Sequence, residues 1–84
     1  MGYTAKQALS LMKGVDGNAF SVMGRALDLI HQYIKKNGIK VNFTKFDDAF
    51  HKQAMSGDYA HLLQTCGEWM QEIELKCDLL NLTA

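Results

Sequence analysis

Proline is absent from this chain of 84 residues. No pyrrolidine ring is present to remove an amide donor or clash with the preceding turn, so the strongest helix breaker plays no part. Glycine falls mostly where the apolar pattern restarts, leaving only Gly24 and Gly67 inside helical stretches. No apolar run approaches the roughly 20 residues of a membrane span, and Gly2, Tyr3, Thr4 and Lys6 stand where a signal peptide would need a continuous apolar core. The expectation is a cytoplasmic protein with no membrane partner. Its two sequons, Asn42-Phe43-Thr44 and Asn81-Leu82-Thr83, should then carry no glycan. Net charge is also lacking, at zero, so the overall positive field that drives non-specific nucleic-acid binding is missing.

Apolar residues, by contrast, are plentiful. At 48% hydrophobic, with four Phe, three Tyr, one Trp and five Met, the chain has too much to bury to be disordered. It fits one domain, 1–84, yet a chain this short buries only about 60 to 65% of the surface its unfolded form exposes. The stability margin should be small, and self-association is one way to enlarge it. The zero net charge conceals a division, because residues 1–52 hold eight Lys or Arg against four acids while 53–84 hold one against five. Halves of +4 and −4 can pair within the fold or between copies.

The apolar spacing reads as helices. Thr4 can cap a short helix through Ala5, Ala8, Leu9 and Met12 that ends at Gly14. Asn18 can cap a longer one, whose stripe of Phe20, Met23, Leu27, Ile30 and Ile34 ends before Asn37-Gly38. Residues 39–43 read as a loop. Thr44 with Asp47 resembles a capping box opening a helix through Phe46, Phe50 and Ala54. From Asp58, one helix of about six turns keeps Tyr59, Leu62, Leu63, Cys66, Trp69, Ile73, Cys77 and Leu80 on a single face. Leu79 and Leu82 fall off that stripe and are expected to offer apolar surface to a partner. The fold class is all-α: a compact bundle of three to four helices, with a short N-terminal helix, two long helices and one short connecting helix.

Candidate chemistry is sparse. Cys66 and Cys77, eleven residues apart on one helix, would have α-carbons about 16 Å apart, beyond the reach of a disulfide, and both sit on the apolar stripe. They read as core. His31, His51 and His61 lack metal-ligand spacing, and Asp28 with His31 or Asp58 with His61 reads as a surface pair. Ser56, Asp58, Tyr59 and His61 gather polar groups at one helix start, but Ser56 and Asp58 are ordinary capping residues there. No cofactor, metal or catalytic residue is expected, and the chain does not read as an enzyme. His61 and Gln64 are left without a structural duty. The helix starts at Gly17-Asn18 and Gly57-Asp58 point amides outward, but Asp16 and Asp58 would repel a phosphate.

Two charged surfaces remain. Lys35, Lys36, Lys40, Lys45, His51 and Lys52 gather between the second and third helices, interleaved with Tyr33, Phe43 and Phe46. Such a cluster can touch phosphates and stack bases, although a solvated helix end and loop is the more frequent meaning of such a run, and its aromatics match core positions. Glu68, Glu72, Glu74 and Asp78 form the acidic counterpart on the last helix.

Two stretches carry a resemblance. Asp16-Gly17-Asn18-Ala19-Phe20 leading to Gly24, and Ser56-Gly57-Asp58-Tyr59 with His61-Leu62-Leu63-Gln64-Thr65-Cys66 followed by Trp69, look like a small protein family of phages and other mobile elements. The family has no assigned biochemistry, so the resemblance assigns no catalytic or binding residue; it marks Asp16, Gly17, Asn18, Gly57, Asp58, Tyr59 and Trp69 as a structural motif. Relatives of this kind enter the first motif from an extended segment and have a shorter tail. The two ends are therefore where this chain should differ. What the resemblance implies is a small non-enzymatic protein that binds and modulates, or inhibits, a host protein, and self-association is expected from the excess of apolar surface. The partner surfaces expected are Lys35, Lys36, Lys40, Lys45 and Lys52, Glu68 and Glu72, and Leu79 with Leu82. Nucleic-acid or nucleotide binding through the Lys35 to Lys52 cluster is the alternative.

Overall fold

A computed structural model describes residues 2–15 and 17–83; Asp16, part of the first motif, lies outside the described residues. Among the described residues five helices follow in order: α1 (Ala5–Leu11), α2 (Ala19–Lys36), α3 (Phe43–Ala54), α4 (Tyr59–Gln71) and α5 (Ile73–Leu79). Among the described residues there is no strand, and no helix is long and apolar enough to cross a membrane. The all-α expectation stands, with one helix more than three to four.

Caps explain most helix starts. Thr4 accepts from the Gln7 amide while the Gln7 side chain accepts from the Thr4 amide, a reciprocal box that opens α1. Asn18 accepts from the Phe20 amide at 2.9 Å and Asp58 from the His61 amide at 2.9 Å, as their positions in the sequence suggest. The start of α3 differs from expectation. Asn42, not Thr44, is its cap, accepting from the Lys45 amide at 3.1 Å, and the Thr44–Asp47 box does not form. Asn42 also donates its own amide to the Leu82 carbonyl at 2.9 Å, which fixes the helix entry from a distant part of the chain.

The long final helix breaks. Glu72, at φ −121° and ψ 41°, separates α4 from α5 without proline or glycine. The break leaves the Met70 carbonyl to accept the Tyr3 amide at 2.8 Å, whereas an unbroken helix would bond it to residue 74. Gly2 is required there, because a Cβ would lie 2.3 Å from the Met70 carbonyl oxygen. The N-terminal segment thus docks on the backbone at the C-terminal end of α4.

Beyond α5, Asn81 takes the left-handed conformation at φ 53°, and the Leu82 amide bonds the Cys77 carbonyl at 2.9 Å. This Schellman turn, closed by asparagine in place of glycine, reverses the chain. Leu82 is consequently 4% exposed and packs into the core, which corrects the expectation that it offers surface. Gly38 closes α2 in the same way, with the Ile39 amide on the Ile34 carbonyl at 3.0 Å.

The core lies where α4 crosses α2 and α3. Trp69, fully buried, meets Phe46 and Phe50 edge-on at ring-centroid distances of 5.1 and 5.4 Å, and its indole N–H donates to Gln53 Oε1 at 3.0 Å. Ile30, Ile34, Met70 and Ile73 close the centre. Three residues assigned to buried stripes do not belong there: Phe20, Tyr59 and Leu63 are exposed. Leu80 is exposed as well: Ile73 and Cys77 keep the stripe buried past the break, but Leu80 is the C-cap of α5, where the chain turns back.

Candidate protein-interaction surfaces

The polar group at the start of α4 has a structural explanation. The His61 imidazole folds back over Gly57, where an added Cβ would lie 2.8 Å from the ring, and places Nε2 2.7 Å from the Gln53 carbonyl and 3.0 Å from Ser56 Oγ. A nitrogen that faces a carbonyl at this distance donates its proton, so Nε2 cannot act as a base toward Ser56. The Ser56 hydroxyl donates to the same carbonyl at 2.8 Å. His61 therefore ties the end of α3 to the start of α4, and Gln53 adds the bond to Trp69. The reading that left His61 without a duty is corrected, and Gly57 serves the close approach of the ring. Gln64 stays exposed on α4.

The other histidine pairing also differs from the sequence reading. His31 bonds Asp47 at 2.7 Å across α2 and α3, not Asp28, and its ring packs on Phe43 at 4.7 Å. Asp28 instead accepts from Gln32. Among the described residues, no three His, Cys, Asp or Glu side chains come together as a metal group would require. Cys66 and Cys77 are buried, unbridged thiols, and burial pushes the Cys66 thiol up to about 11, which keeps it protonated and unreactive near neutrality.

The structure spreads the basic cluster over the end of α2 (Lys35, Lys36), the connecting loop (Lys40) and the exposed side of α3 (Lys45, Lys52). Its aromatics are not free to stack bases. Phe46 is fully buried, Tyr33 packs on Tyr3 at 5.4 Å, and Phe43 is covered by His31 on one side with Lys35 Nζ 6.0 Å from its centroid. A polar cleft of about 390 Å³ between the N-terminal segment and the end of α2, lined by Tyr3, Gln7, Gln32, Tyr33 and Lys36, offers a single cation.

Apolar exposure is the more distinctive feature, and it falls in three places. First, α1 and α4 enclose a groove of about 340 Å³ with Ala8, Leu9 and Met12 on one wall, Leu63 and Met70 on the other, and Cys66 in its floor; Leu9 is 75% exposed. Second, Met55 and Tyr59 flank a smaller recess at the start of α4, with exposed Phe20 following its wall residue Ala19. Third, Leu75 and Leu79, one turn apart on α5, stand exposed with Leu80, and Leu79 reaches 70%.

Charge differs around these surfaces. No charged side chain lines the groove itself; outside it, α1 carries Lys6 and no acid, whereas α4 carries Glu68 and no Lys or Arg. On α5 the one cation, Lys76, turns inward: its side chain is 12% exposed, pairs with Glu68 and lies with Nζ 5.6 Å from the Trp69 ring centroid. The outer face around Leu75 and Leu79 is thus acidic, through Glu72, Glu74 and Asp78. No protein-family model, curated protein or solved structure matches this chain.

Proposed function

We propose that this chain is a small non-enzymatic protein that self-associates and acts by covering a surface of another protein. The observation that carries the reading is the exposure, among the described residues, of eight large apolar side chains gathered on three surfaces of a domain this small. A lone monomer gains nothing from holding Leu9 or Leu79 in water, and the polar residues nearest to a catalytic set are already committed to holding helices together.

The α5 face is the surface offered to a different protein. Leu75 and Leu79 form a ridge with acids beside it, which fits an apolar groove rimmed by Lys or Arg. In the phage or mobile-element setting that the two motifs suggest, that protein belongs to the host, and covering its groove would modulate or block it. Leu79 and Glu72 belong to this reading; Glu68, held by Lys76, and Leu82, buried in the core, do not.

The test compares capture from host lysate by the full-length chain and by a Leu75→Ser/Leu79→Ser variant. Both side chains are exposed, so circular dichroism and thermal midpoint should be unchanged. The expected result is a protein retained by the wild type and lost from the variant. Recovery of the same proteins by both overturns the assignment of the face. Salt-dependent binding of short single strands, abolished by replacing Lys40 and Lys45 with Glu, would instead favour the nucleic-acid reading.

A further inference from the structure

The break between α4 and α5 has no cause in its own residues, and a segment from the far end of the chain occupies it. We propose that Gly2 and Tyr3 act as a wedge that keeps α4 and α5 from joining, and so set the direction in which α5 presents the ridge of Leu75 and Leu79. The hold on the break stands on backbone geometry alone; its effect on the ridge rests on the partner face of the preceding reading.

A sharp break in a helix is normally traced to proline, to glycine or to a group inserted into the ladder of backbone bonds. Glu72 is neither proline nor glycine, and α5 starts without a side-chain cap. Helical bonds resume on both sides of it, the Glu72 amide donating to the Glu68 carbonyl at 2.9 Å and the Lys76 amide to the Glu72 carbonyl at 2.8 Å. Ile73 and Cys77 also keep to the buried stripe beyond it. Local spacing therefore favours one continuous helix.

What is inserted is the Tyr3 amide. Met70 is fully buried, so its carbonyl needs a donor from the protein, and two can serve it: the amide of residue 74 in an unbroken helix, or the Tyr3 amide found there at 2.8 Å. Gly2 covers the same place, since a Cβ on it would run into the carbonyl oxygens of both Met70 and Gln71. Tyr3 is anchored from its other side as well. Its hydroxyl donates to the Leu29 carbonyl at 2.8 Å, and its ring packs on Tyr33, whose own hydroxyl reaches Glu74 of α5 at 3.5 Å. The wedge is thus held by α2 while it faces the junction of α4 and α5. By reciprocity, a partner that prefers the ridge in this orientation also favours the docked N-terminal segment.

Nuclear magnetic resonance of the full-length chain tests the wedge through Glu72. At φ −121° its coupling between amide and α protons is large, and in a continuous helix it becomes small while the α-carbon shift moves to the helical range. Tyr3→Pro, which has no amide to give, and Gly2→Ala, which cannot seat, should each turn Glu72 helical and leave the α2 to α4 amides protected. Glu72 unchanged in either variant overturns the wedge and assigns the break to the anchors of α5 itself, Leu82 on Asn42 and Lys76 on Glu68. Capture from host lysate then reads the ridge. If one molecule in ten keeps the segment docked, the partner held by the wild type binds Gly2→Ala about tenfold more weakly. Equal binding by a variant whose Glu72 has turned helical overturns the control of the ridge. A wild type that captures nothing overturns the partner face, and Glu72 still decides the wedge.

Discussion

Residues 18–71 and the two ends of the chain obtain their structure in different ways. In the middle, α2, α3 and α4 begin on side chains that bond amides two or three residues ahead, and their apolar stripes meet at Trp69, Phe46 and Phe50. At the ends, α1 and α5 have seven residues each, and what places them is backbone contact with distant segments: Tyr3 on Met70, and Leu82 on Asn42. A local device is satisfied by neighbours in the sequence. A remote one is satisfied only once the middle has folded. The ends should therefore be the less stable part, and one of them, α5, also carries the face assigned to partner binding.

The largest effect should come from the middle. Trp69→Ala removes both edge-on aromatic contacts and the bond to Gln53, and is expected to cost about 3–5 kcal/mol in one cooperative transition, read by urea denaturation followed by circular dichroism. Were only part of the helical signal lost, the middle would not be the unit supposed here.

Gly2→Ala should act differently. Its Cβ cannot fit against the Met70 carbonyl, so the segment must lift away at a cost of about 1–3 kcal/mol. Hydrogen exchange should show lost protection at Tyr3 and through α1, with the α2–α4 amides nearly unaffected. Uniform loss across all helices would erase the distinction between middle and ends.

Smaller still is the contrast between neighbouring caps. Asn42→Ala should destabilise by about 1 kcal/mol, while Thr44→Ala, within the first turn and exposed, should change stability by only a few tenths. Equal effects would mean that α3 begins where the Thr44 spacing suggested. Thermal denaturation of the two variants side by side decides it.

Much of the middle was legible in the sequence. Asn18 and Asp58 announce their helices, as Thr4 does at the N-terminal end, because a cap and its amides are neighbours, and Gly38 marks the end of α2 because it supplies the left-handed turn. Thr44 misled, since both it and Asn42 are capping residues and the choice was made by Leu82, forty residues away. Tyr59 and Leu63 misled for a related reason: they lie on the edge of a stripe, and whether an edge is covered depends on how closely the neighbouring helices approach. The candidate surfaces were legible only as charge. Leu79 and the acids of the last helix could be named, but the α1–α4 groove requires knowing which helices lie side by side, and nothing in the spacing of Leu9 points to Leu63. Gly2 gave no signal, because a glycine's meaning is the distance to whatever approaches it.

What this sequence determined alone was therefore its class and most of its boundaries: no proline, apolar residues at helical spacing, and polar residues able to cap. These follow from interactions that reach at most four residues. The break at Glu72, the burial of Leu82, the duty of His61 and the groove itself were decided by tertiary structure, because each depends on a carbonyl, an amide or a wall contributed by a segment that local spacing cannot bring near.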